Sequence, residues 1–325
     1  MAPMTSLRRL VSLLVTLPVA VLLTTATTGA SSARSADERC WGRAPLPTAA
    51  LAQVTGCSLV GRTVYRHGVS VVVPPSGVSV AGEGVSRNGD VVGLQVTNTG
   101  HGVVATPRGV QVRDAARSVS KATSPPACQD RTFNLEGHHW KTSYRYHLNL
   151  QKLPDRYHAK VVVRQVKAAN HHLRTGDNTC GRPPIDTPGA SYLGRTTARA
   201  NIKTGTTAVG CGSYNTTNVV AFGNLPGTLL GWTCFWWVNG GRINAADVVM
   251  DTGDALTTSL PDGCTDRWDF EGAVTHEMGH VYGLAHTGSG HANLTMQHAL
   301  RPCSTYARTL GVGDWLGMKK MYGVR

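Results

Sequence analysis

The chain has 325 residues, a formal net charge of +13 and eight cysteines. That length can bury a large core, so size does not exclude a folded enzyme. The basic residues are dispersed without interleaved aromatics, which disfavours nucleic-acid binding and fits a solvated basic surface.

Arg8-Arg9, an apolar run over residues 10–23 and small residues through Ala30 and Ala36 have the layout of a secretory signal. Cleavage after Ala30 or after Ala36 leaves a small residue at the cut, so residues 1–36 are expected to be removed and the protein to be secreted, extracellular and free of stable membrane insertion. That segment holds Arg8, Arg9 and Arg34 and no acid, so its loss lowers the charge from +13 to +10.

In an exported chain an even number of cysteines without a CxxC pair reads as disulfides. Pairing nearest neighbours in sequence predicts Cys40 with Cys57, Cys128 with Cys180, Cys211 with Cys234, and Cys264 with Cys303.

Residues 64–112 are rich in valine and glycine, with alternating stretches at 69–73 and 91–96 broken by Pro74-Pro75, Asn88-Gly89 and Asn98-Thr99-Gly100. They predict a small β-rich N-terminal region, residues 37–135, whose role as propeptide, β module or substrate-binding appendage stays open. The small, hydroxylated, proline-containing stretch 116–130 marks a candidate boundary near residue 135.

Beyond it, residues 143–150 alternate as a strand, and residues 155–173 place Ala159, Val162, Val163, Val166 and Ala169 on one helical face. Apolar runs at 219–222, 229–238 and 243–250 predict further strands. The fold class is α+β, a mixed twisted sheet packed against helices, with a catalytic domain over residues 136–325.

The segment His276-Glu277-Met278-Gly279-His280-Val281-Tyr282-Gly283-Leu284-Ala285-His286 carries the chemistry. Two histidines four apart project from one helix face and can share a tetrahedral zinc, while Glu277 is displaced around the helix toward a zinc-bound water as general base. Gly283 permits a positive φ that turns the chain back and brings His286 to the metal. Asp266 or Asp269 is suited to cap this helix. His291 and His298 are rival third ligands that lack the glycine-then-histidine spacing.

This HExxHxxGxxH pattern, followed by Met296 in Asn293-Leu294-Thr295-Met296, resembles the metzincin zinc proteases. Thr287 and the ending from Gly313-Asp314-Trp315 to Met321-Tyr322-Gly323 resemble the matrixin branch, over residues 138–325. The resemblance implies a zinc endopeptidase with an active-site helix, a C-terminal helix and Met296 as the hydrophobic floor of a Met-turn. It further implies that the strand holding Gly231 and Trp232 pairs with an extended peptide substrate. His298, two residues after Met296, is a candidate aid to the transition state.

One catalytic Zn2+ per chain is expected, because residues 174–275 hold no histidine for a second site. Cys180-Gly181-Arg182-Pro183 looks superficially like a cysteine switch and reads better as a disulfide segment. Asp251, Asp254 and Asp262 lack calcium-loop spacing and suit turns and caps. The expected partner is a protein or peptide substrate, acted on by a monomer.

Overall fold

The structure is a computed structural model that describes residue 42 and residues 44–90, 93–109, 124–238 and 240–325. The signal-like segment and Cys40 lie outside the described residues.

The N-terminal region forms β1 (Leu46–Pro47), β2 (Thr63–Arg66), β3 (Val69–Val72), β4 (Val78–Glu83), β5 (Gly93–Asn98) and β6 (Val103–Arg108). There follow β7 (Asn134–Leu135), β8 (His139–Trp140), β9 (Tyr144–Leu148), helix α1 (Ala159–Thr175), β10 (Ala190–Arg195), β11 (Ile202–Lys203) and β12 (Val209–Cys211). The rest comprises β13 (Asn218–Gly223), β14 (Gly231–Val238), β15 (Arg242–Asp251), β16 (Leu256–Thr257), β17 (Trp268–Asp269), α2 (Phe270–Tyr282), β18 (Leu284–Ala285) and α3 (Val312–Tyr322).

The α+β class and the mixed sheet are as expected. Among the described residues the main sheet runs β10-β9-β13-β15-β14-β4-β5-β6, with β8 beside β15. Its first four strands are parallel, as near-continuous apolar runs such as Val219 to Phe222 require when both faces are covered. From β14 onward the pairing is antiparallel. A second sheet, β1-β2-β3-β12-β11, covers one face of the first.

The described residues from 42 onward belong to one compact unit. Strand β4 of the N-terminal region pairs with β14, and β12 pairs with β3. These two pairings interleave both parts of the chain in both sheets. Val64, Val71, Val80 and Val96 share a core with Trp232, Trp236 and Val249 between the sheets. On the opposite face α1 and α2 pack Val162, Val166, Ala169, Ala273, Val274 and Met278 against Phe235, Val248 and Met250. Fully burying one such Val, Leu or Met side chain contributes roughly 1.5–3 kcal/mol, so the faces of the sheet are the main source of stability.

Helix α1 begins at Ala159, four residues after the expected start. Tyr157 N–H instead closes a turn onto Pro154 O at 2.9 Å, and the helix starts beyond that turn. Asp269, and not Asp266, caps α2: its Oδ2 accepts from Gly272 N–H at 2.8 Å. Arg308 then holds both Asp269 oxygens, at 2.9 and 2.6 Å.

Three disulfides join described cysteines: Cys128–Cys180, Cys211–Cys234 and Cys264–Cys303, with sequence separations of 52, 23 and 39. Loops of that size imply roughly 3–4 kcal/mol each through the unfolded chain. Cys57 is also disulfide-bonded, and its expected partner Cys40 is outside the described residues. No helix among the described residues is long and apolar enough to cross a membrane.

Candidate metal centre

The site is built around the carboxyl end of α2, where the last carbonyls need partners from elsewhere. Trp140 Nε1–H donates to Val281 O at 2.8 Å and the Tyr322 hydroxyl to Tyr282 O at 2.7 Å. Gly283 then adopts φ 106°, its N–H closing onto Gly279 and His280 carbonyls. A Cβ on Gly283 would lie 2.2 Å from His138 O, so the position requires glycine for space as well as for φ.

The turn brings His286 back to the helix, where its Nε2 is 3.1 Å from His276 Nε2 and 3.1 Å from His280 Nε2. Three imidazole nitrogens this close form a group that could hold a metal ion. Tetrahedral Zn–N bonds of about 2.0–2.1 Å put ligand nitrogens roughly 3.3 Å apart, so the donor set fits such an ion. His276 Nδ1–H donates to Thr295 O at 2.7 Å and His280 Nδ1–H to Leu284 O at 3.0 Å, which leaves both Nε2 lone pairs inward. Burial, reinforced by the neighbouring imidazoles, holds His276 and His286 well below the usual histidine range and hence neutral. Burial also lowers His280, but hydrogen bonding to Glu136 and nearby carboxylates leave it raised.

Glu277 is fully buried beside these rings. Its Oε2 accepts from the Thr233 hydroxyl at 2.5 Å and its Oε1 from Val85 N–H at 3.0 Å. Burial pushes its carboxyl up to about 7, against His280, Thr233 and Val85, which favour the charged form. Gly231 packs on this carboxylate: a Cβ there would lie 2.6 Å from Glu277 Oε1.

Met296 is fully buried against α2, its sulfur 2.1 Å from where a Cβ on Gly279 would stand. Buried Asp314 of α3 fixes that turn by accepting from Thr295 N–H at 2.8 Å, Met296 N–H at 3.1 Å and Gly311 N–H at 3.0 Å. The C-terminal helix therefore positions His276 through Thr295.

Other expected residues fall into place differently. Trp232 is buried, with its ring in the core between the sheets against Gly82, and the strand expected to meet a substrate is instead flanked by β15 and β4. His298 is also buried; its ring lies 6.3 Å from His286 and its carbonyl accepts from Ser86 N–H at 3.2 Å. His291 is held away by Asp130 at 2.9 Å. Asp251 serves a turn, its oxygens accepting from Leu225 and Gly253 N–H, both at 2.9 Å.

Sequence reasoning missed a second buried group behind the rings. Glu83, Glu136 and His280 lie close enough to hold a cation, and Arg108 occupies that role by binding both carboxylates. Glu83 Oε2 lies 3.5 Å from His286 Nδ1, and Glu136 Oε1 lies 3.6 Å from His280 Nδ1. Burial and then the charge of Glu83 push the Glu136 carboxyl up, against His280 and Arg108. Neither carboxylate carries a spacing signal, because Glu83 and Arg108 reach the site only through the pairing of β4 with β14 and of β5 with β6. A scan against protein-family models finds no match for this chain, nor does a search of curated proteins.

Proposed function

We propose that the chain is a secreted zinc-dependent endopeptidase of the metzincin kind, with His276, His280 and His286 as ligands of one zinc and Glu277 as general base and acid. The observation that carries this reading is the convergence of three buried imidazole nitrogens, two pairs at 3.1 Å, beside the buried Glu277 carboxylate. The disulfides accord with an exported protein.

A zinc ion held there supplies Lewis acidity, polarising a peptide carbonyl and lowering the pKa of water to about 7. Glu277 takes the proton from the attacking water and returns it to the departing amine, so one carboxylate serves both halves of the hydrolysis. Thr233 holds Oε2 of that carboxylate and Val85 N–H holds Oε1, which together orient it. The hydrogen bonds to Thr295 and Leu284 keep His276 and His280 in the tautomer that leaves Nε2 free.

The test is zinc analysis and casein digestion by wild type and Glu277→Ala. Wild type is expected to hold one zinc and digest casein, and the variant to keep zinc while losing digestion by about 10²–10⁴-fold. Equal digestion by the two proteins, or no zinc in the wild type, would overturn the reading.

A further inference from the structure

Helix α1 has two working faces. Val162, Val166, Ala169 and Leu173 enter the main core, whereas Lys167, Asn170, His171 and Arg174, three or four residues apart, share a second stripe. Between that stripe and strands β9 and β10 lies a cavity of about 140 Å³, lined by these four side chains and by Tyr146 and Tyr192.

Lys167 and Arg174 bring positive charge to the cavity, and the carboxylates near this end of α1 do not offset it. Asp177 and Glu271 are instead taken by His172, at 2.7 and 3.4 Å. Neither Lys167 nor Arg174 makes an ion pair among the described residues: Lys167 Nζ lies 5.9 Å over the Tyr192 ring, and Arg174 Nη2 meets His171 Nδ1 at 3.3 Å. Because arginine only donates, that ring nitrogen is the acceptor and His171 carries its proton on Nε2. Burial, then Arg174 and His172, lower the His171 pKa, in accord with a neutral ring.

Asn170 supplies an independent sign of a missing partner. It is 3% exposed, and the buried Tyr282 hydroxyl donates to its Oδ1 at 2.8 Å. That bond fixes the amide and leaves the buried Nδ2 with no acceptor in the protein. A buried donor left unmade is destabilising, and an acceptor entering the cavity removes the penalty. Burial, then Tyr192, hold the Tyr146 hydroxyl above its usual range, so it too stays a protonated donor.

We propose that this cavity is a binding site for a tetrahedral oxyanion, a phosphate or sulfate group, seated between α1 and the β9–β10 pair. Such an anion presents oxygens to the helix and the strands at once, whereas a planar carboxylate serves fewer of these donors. Its size suits the space, which is well under the roughly 300–1,000 Å³ that drug-sized ligands take. Lys167 and Arg174 supply charge-assisted hydrogen bonds, and Asn170 Nδ2 gains its acceptor. None of these residues belongs to the metal centre, so anion binding here is independent of hydrolysis.

Calorimetric titration of the full chain with inorganic phosphate, at an ionic strength fixed with chloride, tests the site. One saturable site is expected, and it should persist in His286→Ala, which separates it from phosphate held at a metal. Lys167→Met and Arg174→Met are each expected to weaken binding about 10–100-fold, the worth of one hydrogen bond to a charged group. Asn170→Asp keeps the acceptor for Tyr282 but replaces the unpaired donor with a carboxylate oxygen, and is expected to abolish binding. Its thermal unfolding is measured beside wild type; if the buried charge unfolds the chain, Lys167→Met, at an exposed position, carries the test. Glycerol 3-phosphate titrated in parallel identifies the source: tighter binding than inorganic phosphate assigns an esterified phosphoryl group, and weaker binding a free ion. Acetate binding as tightly as phosphate would overturn the tetrahedral assignment. Heats that do not saturate, or an affinity that Lys167→Met and Arg174→Met both leave unchanged, would overturn the site.

Discussion

The histidine cluster and the segment that covers it are held by opposite means. His276, His280 and His286 come from a single helix and the turn after it, and the Nδ1 partners of two of them, Thr295 and Leu284, lie within 19 residues in sequence. Val85 reaches Glu277 from 192 residues away, and Arg108 joins Glu83 to Glu136 across strands that pair only when the sheet is complete. The spacing of the three ligands is thus a local property of α2 and its turn, while the covering segment and the carboxylate pair depend on assembly of the whole sheet. Substitutions that separate these two dependences test the contrast.

The largest effect is expected from His286→Ala, which leaves two ligands where three converge. Zinc binding should weaken beyond the roughly 10–100-fold that loss of an outer hydrogen-bond partner costs, while the apo fold melts nearly as wild type. Equilibrium dialysis and thermal unfolding measure the two parts separately.

Arg108→Met is the converse, a change in the assembled part. It strands two buried carboxylates and is expected to cost about 3 kcal/mol in chemical denaturation. The sign of its pH dependence follows from Glu136, whose carboxyl is already pushed above its ordinary value by burial and by Glu83. A raised carboxyl stabilises the fold while protonated and loses that contribution as pH rises through the folded value. The penalty of Arg108→Met should therefore be smaller at pH 5 than at pH 8, and a pH-independent penalty would count against an unpaired charge as its origin.

Gly279→Ala sharpens the contrast from within the helix. The added methyl meets the Met296 sulfur, and overpacking of this kind costs about 1–3 kcal/mol, read as a lowered denaturation midpoint. The smallest expected effect is on metal retention with pH. Burial keeps His276 and His286 neutral to low pH, whereas His280, raised by Glu136, is the ligand that protonates first. Zinc should be lost as pH falls below about 6, with activity following occupancy.

What was legible in the sequence divides along the same line. The spacing from His276 to His286 reports on a helix period and a glycine turn, both local, and Gly283 at φ 106° takes the role its position required. Strands over 143–150, 219–222 and 243–250 were readable because apolar alternation or continuity is also a short-range signal, and they match β9, β13 and β15 within two residues at each end. The three disulfides between described cysteines follow nearest-neighbour pairing. Glu83, Arg108, Glu136 and Val85 carry no periodic signal, and their place beside the rings is decided by β4 docking on β14. The same docking explains Trp232: the strand expected to pair with an extended substrate is β14, which is already paired with β15 and β4, and the indole turns into the core.

X-ray absorption at the zinc edge tests the central claim most directly. The account predicts one zinc per chain with three imidazole nitrogens at about 2.0–2.1 Å and one light oxygen ligand, reduced to two imidazoles in His286→Ala. A sulfur ligand, a fourth imidazole, or a spectrum that His286→Ala leaves unchanged would contradict it.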